Sequence, residues 1–186
     1  MKTNTFISVL ILLLIVACRN NSEKKLADVE KQELAKNIRH DSIFMGIHLG
    51  MPKQAFFDYC WQKNKEKLFI EGSGKTVEHQ LGKEGFNFPL QMNFYPTFKD
   101  DKVSELPIQF TYTVLDPWNP KMKTEELLKE VKKLMEKWFG TGFFLTTLPD
   151  GKKVYAKVHG NKRIIIMVEK DFEVMVIVTD LMAANY

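Results

Sequence analysis

The chain has 186 residues, of which 45% are hydrophobic and 27% are charged, and its formal net charge is +4. A chain of this length buries enough surface for one globular domain with a single core. The excess positive charge is small and the basic residues are interspersed with acidic ones, which excludes the concentrated basic surface of a nucleic-acid-binding protein.

Residues 1–17 have the pattern of a secretory signal peptide. Lys2 precedes an apolar stretch over 6–16, and Ala17 and Cys18 follow it. As a helix, the apolar stretch would be about 16 Å long, roughly half of the ~30 Å hydrocarbon core of a bilayer. A permanent membrane-spanning helix is therefore not expected here.

Residues 15–18, Ile-Val-Ala-Cys, resemble the lipobox of bacterial lipoproteins. In that family the signal is cut directly before the cysteine, which then carries a diacylglycerol and an N-acyl chain. The resemblance implies that Cys18 is lipid-modified and that the protein is attached to a membrane. Several acyl chains hold a protein stably, because each buried methylene contributes about 0.8 kcal/mol. The alternative is an ordinary secretory signal in which Cys18 has no role.

The residue after the cysteine bears on the choice of membrane. In enteric lipoproteins an Asp at this position retains the protein at the inner membrane, whereas this chain has Arg19. The resemblance therefore favours the outer membrane. The mixed charges of residues 22–25 leave open whether the domain faces the periplasm or the cell surface.

Residues 18–42 are predicted to form a charged, flexible tether. Between 19 and 42 there are six basic and five acidic residues and no aromatic one. Such a composition buries too little apolar surface to offset the entropy of ordering the chain. A thin apolar stripe allows at most a marginal helix, and consists of Leu26, Val29, Leu34 and Ile38.

A single folded domain is predicted at 43–186. An apolar segment over 43–49 leads to Pro52, which suits the first turn of a helix. This helix is expected to run to about Lys67 with its apolar residues on one face, namely Phe56, Phe57, Cys60, Trp61 and Leu68. If Cys18 carries lipid, Cys60 has no disulfide partner, and we expect it to be a buried and inert thiol.

Strands and a second helix account for the rest of the domain. Period-two patterns and short apolar runs predict strands over 76–81, 86–95, 103–115, 143–148, 153–158, 163–168 and 172–179. A turn over 116–120 and a helix that begins at Thr124 and stops at Gly140 lie between the two groups of strands. The last two strands are apolar on both faces, which predicts cover on both sides of that part of the sheet.

The predicted fold class is α+β, with one curved antiparallel β-sheet packed by two helices. The order helix, strands, helix, strands also indicates two tandem halves, 43–116 and 117–186. No repeat of individual residues accompanies this order.

No motif predicts a catalytic mechanism, a cofactor or a metal site. Residues 72–76, Gly-Ser-Gly-Lys-Thr, resemble the end of a phosphate-binding loop, but Phe69 occupies the place of its first glycine and a helix precedes it. Nucleotide binding is therefore not expected. The four histidines have none of the sequence spacings that are typical of metal ligands. They are His40, His48, His79 and His159.

Trp118 is the candidate partner-binding residue. It lies between Pro117 and Pro120 in a turn, and an aromatic side chain on a rigid turn loses little entropy when a partner binds it. The alternative is that Trp118 folds back onto its own core. Trp61 and Trp138 belong to helix stripes, and we expect both in the core.

The segment 46–53, Gly-Ile-His-Leu-Gly-Met-Pro-Lys, resembles the start of the first helix in BamE/SmpA-like envelope lipoproteins. That family has helix-plus-meander modules that support assembly of outer-membrane proteins, and related tandem modules include inhibitors of β-lactamases. This chain has a second helix and meander. It is also similar to uncharacterised lipoproteins of the Bacteroidetes type.

Two classes of function follow from these patterns. The first is a noncatalytic envelope module that binds a protein or an envelope component through the sheet face or the Pro117 turn. The second is an envelope hydrolase or small-ligand carrier with a pocket between sheet and helices. A closed apolar core with an exposed aromatic patch favours the first, and a deep pocket with converging carboxylates or histidines favours the second.

Overall fold

The structure, a computed structural model, describes residues 25–83 and 85–184. The predicted signal peptide at 1–17 and the predicted lipid attachment at Cys18 lie outside these residues. Helix α1 covers residues 25–35, and α2 (Lys53–Lys65), α3 (Thr124–Phe139) and the short α4 (Leu181–Ala184) follow. No helix among the described residues is long and apolar enough to cross a membrane.

The described part of the chain contains eleven strands, numbered in chain order. They are β1 (Ser42–Phe44), β2 (Ile47–His48), β3 (Ile70–Glu71), β4 (Val77–Gly82), β5 (Leu90–Phe94), β6 (Thr97–Lys99), β7 (Lys102–Tyr112), β8 (Phe144–Thr147), β9 (Lys153–His159), β10 (Lys162–Lys170) and β11 (Glu173–Asp180). β1 and β2 form a separate small hairpin, and the other nine strands form one sheet.

The large sheet is antiparallel and its order is β3-β4-β5-β7-β11-β10-β9-β8, with β6 paired to β7. Strands β3 to β7 form one side of this sheet, and strands β8 to β11 form the other. The two sides meet where β7 pairs with β11, with Ile108 opposite Val176. Each side is a meander preceded by a helix. The predicted α+β fold, a curved antiparallel sheet packed by two helices, is confirmed.

Helices α2 and α3 cover the first face of the sheet. The apolar stripe of α3 is buried there through Leu127, Val131 and Met135, and Phe56 of α2 is fully buried beside the strands. α3 ends at Gly140, which has the positive φ of 80° that glycine adopts without strain. Thr124 lies inside the helix, and its hydroxyl accepts a hydrogen bond from the Phe172 N–H instead of capping the helix.

Helix α1 covers the second face of the β8–β11 side. Leu26 is buried against a cluster that contains Ala156 and Ile165, and Val29 and Leu34 pack beside it. Two charged contacts add to this apolar contact, Glu30 with Arg163 at 3.0 Å and the Lys25 ammonium 4.9 Å from the centre of the Phe144 ring.

The structure differs from the predicted tether at residues 25–42, which pack on the domain. The physical reason is the second face of β9 and β10, where Val154, Ile165 and Met167 require cover. The thin stripe of α1 supplies that cover. The folded part therefore begins by residue 25 instead of residue 43.

A buried polar network holds the segment after α1. Asn161 is 0% exposed, and its side-chain amide donates to Asp41 at 2.9 Å and to Asp180 at 3.1 Å. Its side-chain oxygen accepts from the His40 N–H at 2.6 Å. Arg39 bridges the same two carboxylates at 2.8 and 2.7 Å. The network joins the segment after α1, at residues 39–41, to the β9–β10 turn and to the end of β11.

Candidate partner-binding surface

Trp118 lies fully outside the core, with 92% of its surface exposed. The Trp118 N–H donates to the Asp116 carboxylate at 3.1 Å, and the Lys121 N–H donates to the Asn119 side chain at 3.0 Å. These bonds set the turn without using the indole. Val114 and Leu115 beside it are also exposed.

A second exposed aromatic surface lies on α2, which we call the α2 surface and define by Phe57, Trp61, Ile70 and Tyr95. Trp61 is 66% exposed, so the prediction that it belongs to the core is wrong. Phe56 already occupies the core side of α2, and the next residue on a helix lies about 100° round the axis. Phe57 and, one turn later, Trp61 therefore point away from the sheet.

Three residues of the α2 surface, Phe57, Trp61 and Ile70, line an open groove of 520 Å³ between α2 and strands β3 and β4. Its apolar walls are Phe57, Cys60 and Trp61 on the helix and Ile70 and Val77 on the strands. Phe69, which is buried, also lines it. The groove therefore presents apolar side chains from two separate elements.

Ring packing holds two aromatic side chains of the α2 surface, Phe57 and Tyr95, in place. The Phe56 ring contacts the rings of Phe57 and Tyr95 edge-on, at 5.8 and 6.3 Å between ring centres. The Asn64 amide donates to the Phe69 carbonyl at 2.9 Å and so fixes the chain between α2 and β3. Side chains that are held before binding lose less entropy when a partner arrives.

Charged groups of both signs lie at the edge of the α2 surface, and the carboxylates Asp58 and Glu71 line its groove. The Lys65 ammonium lies 5.7 Å from the Trp61 ring and the Lys53 ammonium 5.6 Å from the Phe98 ring. Lys63 is paired with Glu66 at 2.8 Å. The groove therefore matches a protein segment through its apolar side chains, and the mixed charges at its edge favour neither an acidic nor a basic partner.

Cys60 is half-buried, and burial raises the pKa of its thiol to about 11. The thiolate is the reactive form, so at pH 8 we expect Cys60 in the folded protein to react with a maleimide at least about tenfold more slowly than in urea. The rate is measured by mass spectrometry on protein whose Cys18 has been replaced by serine. Equal rates in the folded and unfolded protein would contradict the assigned burial.

The exposures of the three tryptophans give a stability prediction. Trp61→Ala and Trp118→Ala should each change the free energy of unfolding by less than about 0.5 kcal/mol, because both indoles are exposed. Trp138→Ala should lower it by roughly 2 kcal/mol, since this indole stacks on Phe44 at 5.3 Å. Urea unfolding measures all three. A loss at Trp61 as large as that at Trp138 would show that the α2 surface is part of the core.

Another open cavity, of 710 Å³, lies elsewhere and is lined by charged groups that include Arg39, Asp41 and Asp180. Both carboxylates are already bound by Arg39 and Asn161. The charged side chains of Arg39, Asp41 and Asp180 therefore pair with one another and stabilise the fold.

Two of the four histidines, which are far apart in the sequence, are in contact in the structure. His40 and His159 stack with ring centres 3.5 Å apart, which no local signal indicates because 118 residues separate them. His48 and His79 each lie within hydrogen-bond distance of a carbonyl, that of Leu49 and Leu68 respectively. Within 25–83 and 85–184, no three His, Cys, Asp or Glu side chains are grouped to hold a metal ion.

No model of a known protein family matches the chain, and comparisons with curated proteins and with solved structures give no significant match. The candidate surface therefore rests on its own geometry.

Proposed function

We propose that this protein is a bacterial lipoprotein of the cell envelope, anchored through Cys18, that acts as a noncatalytic binding module. The outer membrane is the favoured location. The partner is another envelope protein, and it binds the α2 surface through an apolar segment.

The observation that carries this proposal is the exposure of Phe57, Trp61 and Ile70 around one groove. Contiguous exposed apolar side chains are uncommon on soluble domains and mark sites of interaction. Tryptophan is also the residue type most enriched among those that dominate binding energy. The exposed Trp118 is a second, smaller candidate at a separate turn.

The packing of α1 supports a function close to the membrane. Residues 18–25 would span at most about 25 Å when fully extended, and the chain is already part of the folded domain at residue 25. A partner within or beside the same membrane would therefore meet the module at a high local concentration.

Photo-crosslinking in the native host tests the proposal. A photoreactive residue replaces Asp58, which lines the groove, and in separate strains replaces Lys129 on the exposed side of α3 or Lys121 in the Trp118 turn. We expect a discrete crosslinked protein from position 58 and none from position 129. Crosslinks from position 121 alone would move the binding site to the turn and contradict the assignment to the α2 surface.

A further inference from the structure

Lys162 is a buried cation at the start of β10. Lys162 is only 5% exposed, and its ammonium donates a hydrogen bond to the Ser42 carbonyl at 2.6 Å. The ammonium also lies 4.8 Å from the centre of the Phe139 ring. None of the ion pairs between described residues includes Lys162. Burial penalises this charge, and no carboxylate among the described residues is paired to it.

Lys162 lines an open pocket of 320 Å³ between the N-terminal segment, the end of α3 and strands β9 and β10. Trp138 and Phe139 form an aromatic wall of this pocket, and His40 and His159 also line it. The volume is at the lower end of the range for pockets that hold small molecules.

A second cation, Lys157, also lines the pocket, but its hydrogen bonds are already used. Its ammonium donates to the carbonyls of Phe139, Gly140 and Thr141 at 2.6, 2.9 and 2.5 Å. Lys157 therefore holds the end of α3 and contributes positive charge to the pocket, while two donors of Lys162 are not used by any hydrogen bond between described residues.

Asp41 is the carboxylate that lines the pocket beside these cations. Its oxygens accept from Arg39 at 3.1 and 2.8 Å and from Asn161 at 2.9 Å. Because these donors hold Asp41, the pocket keeps an excess of positive charge. The pKa of His159 is lowered by burial and by His40, and the pKa of Lys162 is lowered by burial to about 8, with Lys157 adding to the decrease and Asp41 opposing it.

We propose that this pocket is a binding site for a small organic anion, whose phosphate or carboxylate oxygens accept hydrogen bonds from Lys162 and whose apolar part lies on Trp138 and Phe139. The negative charge of the anion pairs with the buried Lys162 ammonium, which no carboxylate among the described residues pairs with. The site is separate from the α2 surface, so it does not depend on the proposed partner.

Isothermal titration of the soluble chain from residue 19 onward with phenyl phosphate, inorganic phosphate and benzoate, at constant ionic strength, tests the site. We expect saturable binding of phenyl phosphate or benzoate, at least about tenfold tighter than inorganic phosphate because of the aromatic wall. Of the two, the tighter ligand shows whether the anionic group is phosphate or carboxylate. Lys162→Met should abolish this binding. Lys170→Met, at the exposed end of the same strand, should not change it.

Proton linkage provides a second measurement on the unaltered protein. Because the pKa of Lys162 is lowered to about 8, an anion that binds the charged form should cause proton uptake above that pH. Titrations in buffers of different ionisation enthalpy measure this uptake. No saturable binding, or equal affinities of the Lys162→Met and Lys170→Met proteins, would each overturn the proposal.

Discussion

Exchanging residues 1–18 for a secretory leader that leaves no cysteine should move the protein from the membrane fraction to the soluble fraction of the envelope. Two or three acyl chains hold a protein stably on a bilayer, at about 0.8 kcal/mol for each buried methylene. Fractionation and immunoblotting of the native host measure the redistribution.

The control is the natural leader with Cys18 in place. Mass spectrometry of its mature amino terminus should show Cys18 as the first residue, with the added mass of a diacylglycerol and an N-acyl chain. A bare amino terminus, or membrane retention unchanged by the leader exchange, would contradict lipid attachment at Cys18.

Asn161→Ala should lower the free energy of unfolding by about 3 kcal/mol. The substitution removes three hydrogen bonds from a fully buried site, and two of them go to carboxylates, for which about 1.5–3 kcal/mol each is typical. The backbone of Asn161 is also held on both sides, because its N–H donates to the Ile38 carbonyl at 3.2 Å and its carbonyl accepts from the Leu181 N–H at 2.7 Å. Urea unfolding measures the loss.

The matched control is Asn87→Ala, at an exposed asparagine, with an expected change below about 0.5 kcal/mol.

Burial acts to raise the pKa of Asp41, but the hydrogen bonds from Arg39 and Asn161 outweigh it and hold the pKa below its usual value. The contribution of a carboxyl with a lowered pKa is present above about pH 4 and is lost as the pH falls through the folded-state value. The difference between wild type and Asn161→Ala should therefore shrink near pH 3. A loss below about 1 kcal/mol at pH 7 would contradict the assigned network.

The fold could be predicted from the sequence where periodicity acts within one element. The stripe of α3 and its stop at Gly140 are present as predicted, and the two-sided apolar pattern of β10 and β11 does correspond to cover on both faces. The strand predicted over 86–95 is shorter, since β5 covers Leu90–Phe94. Phe86 and Phe88 are partly buried ahead of it and pack against the core from irregular chain.

The candidate surface and the anion pocket could not be predicted in the same way, because they depend on distant segments. The pattern of α2 shows that Trp61 is apolar, but not that the neighbouring elements leave it exposed. The composition of residues 19–42 does not reveal that the second face of β9 and β10 requires the stripe of α1. The surroundings of Lys162 are set by Ser42 and Phe139, which are distant from it in sequence.

The most direct test of the account is the double substitution Phe57→Ser and Trp61→Ser in the full-length protein, with the photoreactive residue at position 58, in the native host. Both side chains are exposed, so abundance and lipid attachment should stay unchanged. The crosslinked partner should be lost from the double variant, whereas Trp118→Ser alone, with the photoreactive residue also at position 58, should retain it. A partner that is still crosslinked with normal yield through the doubly substituted surface would contradict the account.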